Sequence, residues 1–367
     1  MERPRIIDRD ALPAQVCIVD AYTSAVLELC AVVNPTLPKQ GPERAQQEEK
    51  FMGTYADRGV YIYFPWRNTV VHTLNEQDYF TLRTARNREV ILATEQQEFR
   101  KGRVGIAGLS VGSAVLQTLV MSGGPKELKI ADLDVVEITN LNRLRATVLD
   151  VGSEKVEVAA RATWEIDPFA HIEIFPEGIT MANIETFLCK PRLSVCVDEI
   201  ESIPFKIRLR EVARRERIPV VMATDNGNGI ILDIERFDED RNRPLFHGLI
   251  DDIRPGDLEK ISYREWLELA TRVVGPEYLG ERMRNSLLRI GKTIPSVPQL
   301  GASAAFAGAA VTYAVRHILT KVPMPSGRYH FTLEEMFDAS YRSPEHEKER
   351  LASSQQFLKA LRNPPSL

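Results

Sequence analysis

Residues 103–134 constrain this chain more than any other stretch. RVGIAG (103–108) is a short apolar run, GLSVG a loop of small residues, and SAVLQTLVMSGG a helix-like segment that stops at Gly123-Gly124; ELKIADLD (127–134) reads as a second strand. Strand, glycine loop, helix and strand within about thirty residues make half of a nucleotide-binding sheet, because parallel strands need a crossover and a helix supplies it. The alternation continues with a helix at 153–166, a strand near 171–175, the strand LSVCVD (193–198), a helix at 203–217 and the strand IPVVMA (218–223). GIILDIERF (229–237) follows too closely for a helical crossover and is expected to run antiparallel. The predicted fold is α/β, a mixed but mainly parallel sheet with helices on both faces and a small N-terminal α/β extension.

The flanks speak less clearly. Residues 1–75 form an extension of unassigned role, with a helix at 18–33, a polar connector at 38–48 and a strand-like GVYIYFPW at 59–66. A long helical pattern runs from Asn75 to Gly102. Residues 76–322 make up the nucleotide-binding domain, within which the polar 238–298 segment, with helices near 256–272 and 277–290, is the expected substrate-groove insertion. GASAAFAGAAVTYAVRHIL (301–319) is apolar on nearly every side but too short for a membrane span, so a core or subunit-interface helix is expected. Residues 323–367 read as a charged tail, with EHEKER (345–350) as a solvated helix or a partly disordered stretch.

The net charge of −4, with 27% charged and 44% hydrophobic residues, marks neither a nucleic-acid nor a membrane binder. The first residues have no apolar core of a signal peptide, so a cytoplasmic location is expected. Four scattered cysteines without a C-x-x-C pair argue against structural zinc and against a disulfide framework.

A glycine loop between strand and helix lets backbone N–H groups approach phosphates at the positive end of the helix. Gly108, Ser110 and Gly112 are placed for this, although a tight turn with no ligand accounts for them as well. Asp132, 24 residues beyond Gly108 at the end of the second strand, suits the hydroxyls of a ribose. A nicotinamide or flavin oxidoreductase needs the same carboxylate. Arg143 and the helix-starting Lys155 separate the readings, because two cations just past the ribose site suit a triphosphate and not a hydride donor.

The run D-x-D (Asp132, Asp134), N-L-N-R (140–143), V-G-x-x-K-V-E-x-A (151–159) and WEIDP (164–168) resembles the adenylation domain of the ThiF/MoeB branch of the ubiquitin-activating-enzyme superfamily. The resemblance covers about residues 84–236, with the 301–319 helix as a further part. It implies ATP-dependent adenylation of a carboxylate, giving acyl-AMP and pyrophosphate. Asp132, with Asp134 beside it, would hold the ribose, and Asn140, Arg143 and Lys155 the phosphates. RTARNREVIL (83–92) resembles the segment whose arginine, here Arg88, reaches into a partner's ATP site, which implies a homodimer. The family's metal aspartate maps to Glu201, with Asp198 three residues earlier; either carboxylate is of the type that binds magnesium.

Two departures qualify the resemblance. Many relatives pass the acyl group to a cysteine and carry zinc on paired C-x-x-C motifs, yet no cysteine follows Cys196, so no internal thioester and no zinc are expected. The glycine loop is one residue short, with Ser110 where glycine is common. The expected partner is a ubiquitin-like carrier protein or a peptide. The alternatives are an inactive binding module, or one half of a heterodimer, and a NAD- or FAD-dependent oxidoreductase.

Overall fold

The computed structural model describes residues 2–56, 58–253 and 262–362. The chain forms two compact units. The first comprises residues 1–100 together with 120–124 and 161–170, and the second holds the rest.

In the first unit, β1 (Arg5–Ile7), β2 (Cys17–Asp20), β3 (Gly59–Phe64) and β4 (Thr69–Leu74) make a sheet in the order β1-β3-β4-β2. Helices α1 (Tyr22–Val33), α2 (Pro42–Gly53), α3 (Glu76–Arg83) and α4 (Ala93–Lys101) accompany it. The expected helix at 18–33 begins later because Cys17–Asp20 pair in parallel with β4. The expected connector at 38–48 is partly α2, which Pro42 starts at its first turn, where a missing N–H costs nothing. The pattern expected to be one helix over 75–102 is broken, since residues 84–92 form a 3-10 turn and an irregular link that leaves Val90 and Leu92 exposed.

The second unit is built on seven strands in the order β11-β10-β9-β8-β5-β6-β7. These are β5 (Arg103–Ala107), β6 (Glu127–Ala131), β7 (His171–Phe175), β8 (Val195–Asp198), β9 (Val220–Asn226), β10 (Gly229–Glu235) and β11 (Gly327–Thr332). Strands β5 to β9 are parallel, while β10 pairs antiparallel with both β9 and β11. The mixed sheet expected from residues 103–237 is therefore present, and the antiparallel turn into β10 follows from the short Gly227-Asn228 link. Helices α5 (Gly112–Met121), α6 (Lys155–Ile166), α7 (Ile184–Cys189) and α8 (Ile203–Arg215) are the crossovers. Beyond β10 come α9 (Tyr263–Val274), α10 (Glu281–Leu287), α11 (Gly301–Thr320), α12 (Leu333–Phe337) and α13 (Pro344–Arg362). The start expected at 256 lies outside the described residues, among which this helix is α9, from Tyr263 with Ser262 as its cap.

Helix α11 buries Ala304, Ala307, Val311, Ala314 and Val315 against β8, β9 and β10, and so is a core helix of this unit. Its Gly308 lies against the Ala114 carbonyl of α5, an approach that a β-carbon would block. The segment read as a charged tail contributes the edge strand β11, and Phe357 and Leu361 of α13 are buried with Met283 and Leu287 of α10. In a helix so rich in charge, the two widely spaced apolar anchors were hidden.

Candidate functional site

The site lies above the carboxyl ends of β5, β6, β8 and β9, where an open α/β sheet binds its ligands. Gly108 leaves β5 with φ +90°, and a β-carbon there would land on the Glu199 carbonyl. Its successor Leu109 donates its N–H to Asp132 Oδ2 at 2.6 Å, while Asp132 Oδ1 accepts the Asp134 N–H at 2.9 Å. Asp132 thus ties the glycine loop to the start of the loop after β6. Gly112 opens α5, and a β-carbon there would press on Ile106 of β5, so its smallness serves helix-on-strand packing.

Lys155 begins α6, is buried, and pairs with Asp134 Oδ2 at 2.7 Å and more distantly with Asp132 at 3.9 Å. Buried Asn140 accepts the Glu137 N–H at 3.0 Å and closes the 3-10 turn that leads to Arg143. Arg143 donates through Nε to Ser110 Oγ at 3.0 Å, and through Nη1 to the Thr139 carbonyl and to Asn142 Oδ1. The serine that stands where the resemblance expects glycine is therefore one of three groups that orient the arginine. These bonds form two groups on the glycine loop: Asp132, Asp134 and Lys155 on the Leu109 side, and Arg143 with Ser110, to which Asn140 is joined by accepting the Arg143 N–H on its carbonyl at 3.0 Å.

The two expected metal carboxylates have different surroundings. Asp198, at the end of β8, is fully buried; Oδ2 is held by Arg210 and by Lys206 at 3.2 Å, and Oδ1 accepts the Ile200 N–H. Burial pushes its carboxyl up, but the two cations and that N–H outweigh it and hold the carboxyl below the usual range. Glu201 is exposed just before α8. Among the described residues no group of three or more His, Cys, Asp or Glu is arranged to hold a metal ion. Arg88 belongs to the first unit, is exposed, and donates through Nη1 to the Val32 carbonyl at 3.2 Å.

Two acids here were not foreseen. Glu199 follows β8 beside Gly112, accepts the Ala223 N–H at 3.0 Å, and has its carboxyl raised well above normal by burial, with Asp198 and Asp225 adding to the effect. Asp225, near the end of β9, is pushed up to about 6 by burial, against the opposing charge of Arg143. In the sequence, Asp225 sits in TDNGNG, where it reads as the usual acid of a hairpin turn.

The ThiF family pattern matches residues 84–350. The chain belongs to the ThiF family. It is 30% identical over 339 residues to the uncharacterised protein MT1398 of Mycobacterium tuberculosis, covering 92% of this chain and 45% of that protein. It is 38% identical over 120 residues to tRNA threonylcarbamoyladenosine dehydratase 2 of Saccharomyces cerevisiae, covering 32% of this chain and 26% of that one. It is 28% identical over 120 residues to the sulfur carrier protein adenylyltransferase of Thermus thermophilus, covering 32% and 43%. The chain thus spans less than half the length of each of these relatives. Its sheet is the mixed, Rossmann-like one expected of a ThiF protein, and no helix among the described residues is long and apolar enough to cross a membrane.

Proposed function

We propose that the second unit binds ATP and adenylates a carboxylate, releasing pyrophosphate. One observation carries this reading: Arg143 and Lys155, the cations that the resemblance assigns to the phosphates, are bonded to Ser110 of the glycine loop and to Asp134 beside Asp132. Membership of the ThiF family and similarity to a sulfur carrier protein adenylyltransferase support it. Asp132 and Asp134 would take the ribose, and the loop N–H groups with Arg143 and Lys155 the phosphates. The acyl carboxylate is already ionised and needs no base; the barrier is the meeting of two anions, which fixed cations lower. Glu201 is the open carboxylate for magnesium, an ion that one or two carboxylates and the substrate phosphates together can hold; when bound it would neutralise phosphate charge. The acyl substrate is the carboxy terminus of a carrier protein or peptide, in a homodimer to which Arg88 contributes across the interface. Burial pushes the Cys30, Cys189 and Cys196 thiols up, which suits none of these three to a thioester, and the exposed Cys17 belongs to β2 of the first unit.

The same bonds give a second reading its weight. Arg143 and Lys155 are engaged with the protein's own Ser110 and Asp134, as they would be in a binding module that never meets a triphosphate. Pyrophosphate exchange into ATP, with purified protein and candidate carboxylates, separates the two. Exchange that falls by about a thousandfold in Arg143→Ala is expected, the scale of one arginine in phosphoryl transfer. Absence of exchange with any carrier or peptide favours the binding module.

A further inference from the structure

Asp225 is out of balance with its surroundings. Both carboxylate oxygens are shut off from solvent and neither has a hydrogen-bond partner. The donor beside it is the Ser303 hydroxyl at the buried start of α11, whose single hydrogen is contested by the Leu300 carbonyl at 2.9 Å. Arg143 attracts Asp225 through space, yet its Nε and Nη1 are directed to Ser110, Thr139 and Asn142. The start of α11 is seated on this same segment, because a β-carbon on Gly301 would meet the Asn142 carbonyl. Asp225, Ser303, Arg143 and Ser110 therefore lie together, beside the loop to which the adenylation reading assigns the phosphates. Of the other carboxylates at this end of the sheet, Asp198 is held by Arg210 and Lys206, and Asp132 accepts two backbone N–H groups. A buried carboxylate without donors costs free energy that a bound cation recovers.

Resting on the adenylation reading, we propose that Asp225 recognises the acyl substrate by pairing with a cationic nitrogen that the substrate carries within a few bonds of its reacting carboxylate. The substrate's carboxylate then lies toward Arg143 and its ammonium toward Asp225, so that the two ends are read by opposite charges a short way apart. The charged groups facing Asp225 are Arg143 and Glu199. With its carboxyl at about 6, Asp225 is ionised at neutral pH, and recognition fades as pH falls below that value.

The test compares parent and Asp225→Asn by fluorescence anisotropy with two labelled pentapeptides in the presence of ATP. Both are Gly-Gly-Gly-Gly-X, with X either 2,4-diaminobutyrate or its uncharged homologue norvaline. The parent is expected to bind the diaminobutyrate peptide about tenfold more tightly at pH 8, the scale of one charged hydrogen bond, and D225N to bind both within about twofold. Thermal melting gives an independent readout: removing an unpaired buried charge should raise the D225N midpoint at pH 8. A lower D225N midpoint makes Asp225 a structural support and overturns the proposal. So does a parent without preference, or equal weakening of both peptides together with ATP, which would mean that Asp225 acts by holding Arg143. A preserved binding preference without pyrophosphate exchange keeps the recognition role and overturns the adenylation reading instead.

Discussion

Asp132 illustrates how much one side chain does at the loop. Its two oxygens each accept a backbone N–H, from Leu109 and Asp134, and its charge also faces Lys155. Bonds to an ionised acceptor are worth more than neutral ones, and a donor left facing a donor loses its desolvation cost as well. Asp132→Asn retains one oxygen and turns an N–H2 toward one of those N–H groups. The variant is expected to lose about 2–3 kcal/mol in urea unfolding and to bind ATP more weakly in equilibrium titration. Asp225 is the opposite case, a charge the fold does not satisfy. Its raised carboxyl means that the folded chain holds a proton more firmly than the unfolded one between pH 4 and 6, so it subtracts stability as pH rises through that window. The stability gap between D225N and the parent should be full above pH 6 and vanish toward pH 4.

Helix α8 shows what an element contributes beyond its place in the crossover. Lys206 and Arg210, one turn apart, present two cations on one face. Arg210 is fully buried, bonded to Asp198 of β8 and to Glu235 Oε2 of β10 at 2.5 Å, with its guanidinium 3.9 Å from the centre of the Phe246 ring. Arg210→Met would leave buried Glu235 with the Phe246 N–H but no cation, and Asp198 with Lys206 as its one cation, and should cost about 3–5 kcal/mol at pH 7, by chemical denaturation. Asp198, held low by its cations, contributes stability that is complete above the ordinary carboxylate range and is lost as pH falls through its lowered value. The gap between parent and variant should therefore narrow as pH falls through the carboxylate range, where Asp198 takes up its proton. This network was not legible in the sequence. KIRLREVARR reads as an amphipathic helix, and nothing in its spacing says that Arg210 points inward to acids on two different strands. The strands were legible because period and turn chemistry are local, as with the glycine loop, Asp132 and Lys155, whose bonding rests on a short β-α-β segment. Asp225 and Glu199 were missed because their meaning depends on which strand ends become neighbours in the sheet.

At the scale of the whole molecule, the first unit is discontinuous in the chain, and its stability depends on that. Arg83 and Arg100 of α3 and α4 both bond to buried Asp167, whose other oxygen accepts the Phe169 N–H at 3.2 Å. Arg83 also donates to the Val120 carbonyl, Tyr79 to the Ile166 carbonyl at 2.9 Å, and Trp66 to Glu165 Oε1 at 2.6 Å. Phe169 completes a buried cluster with Ile62 and Phe64. Residues 161–170 thus supply both an apolar wall and the counter-ion for two largely buried guanidiniums. An isolated fragment 1–100 contains the four strands and nearly all of the four helices but lacks Asp167, which leaves Arg83 without its acid and Arg100 with the half-exposed Glu76 at 3.6 Å, a deficit of several kcal/mol against a stability of small-domain size. The fragment is expected to show no cooperative thermal transition by circular dichroism. In the full chain, Asp167→Asn should lower the midpoint of unfolding of this unit, followed by the fluorescence of Trp66 and Trp164, whose rings lie 5.9 Å apart. A sharp melt of the fragment would mean that the sheet order β1-β3-β4-β2 and its helices carry enough core alone, and that the Asp167 pairs add little.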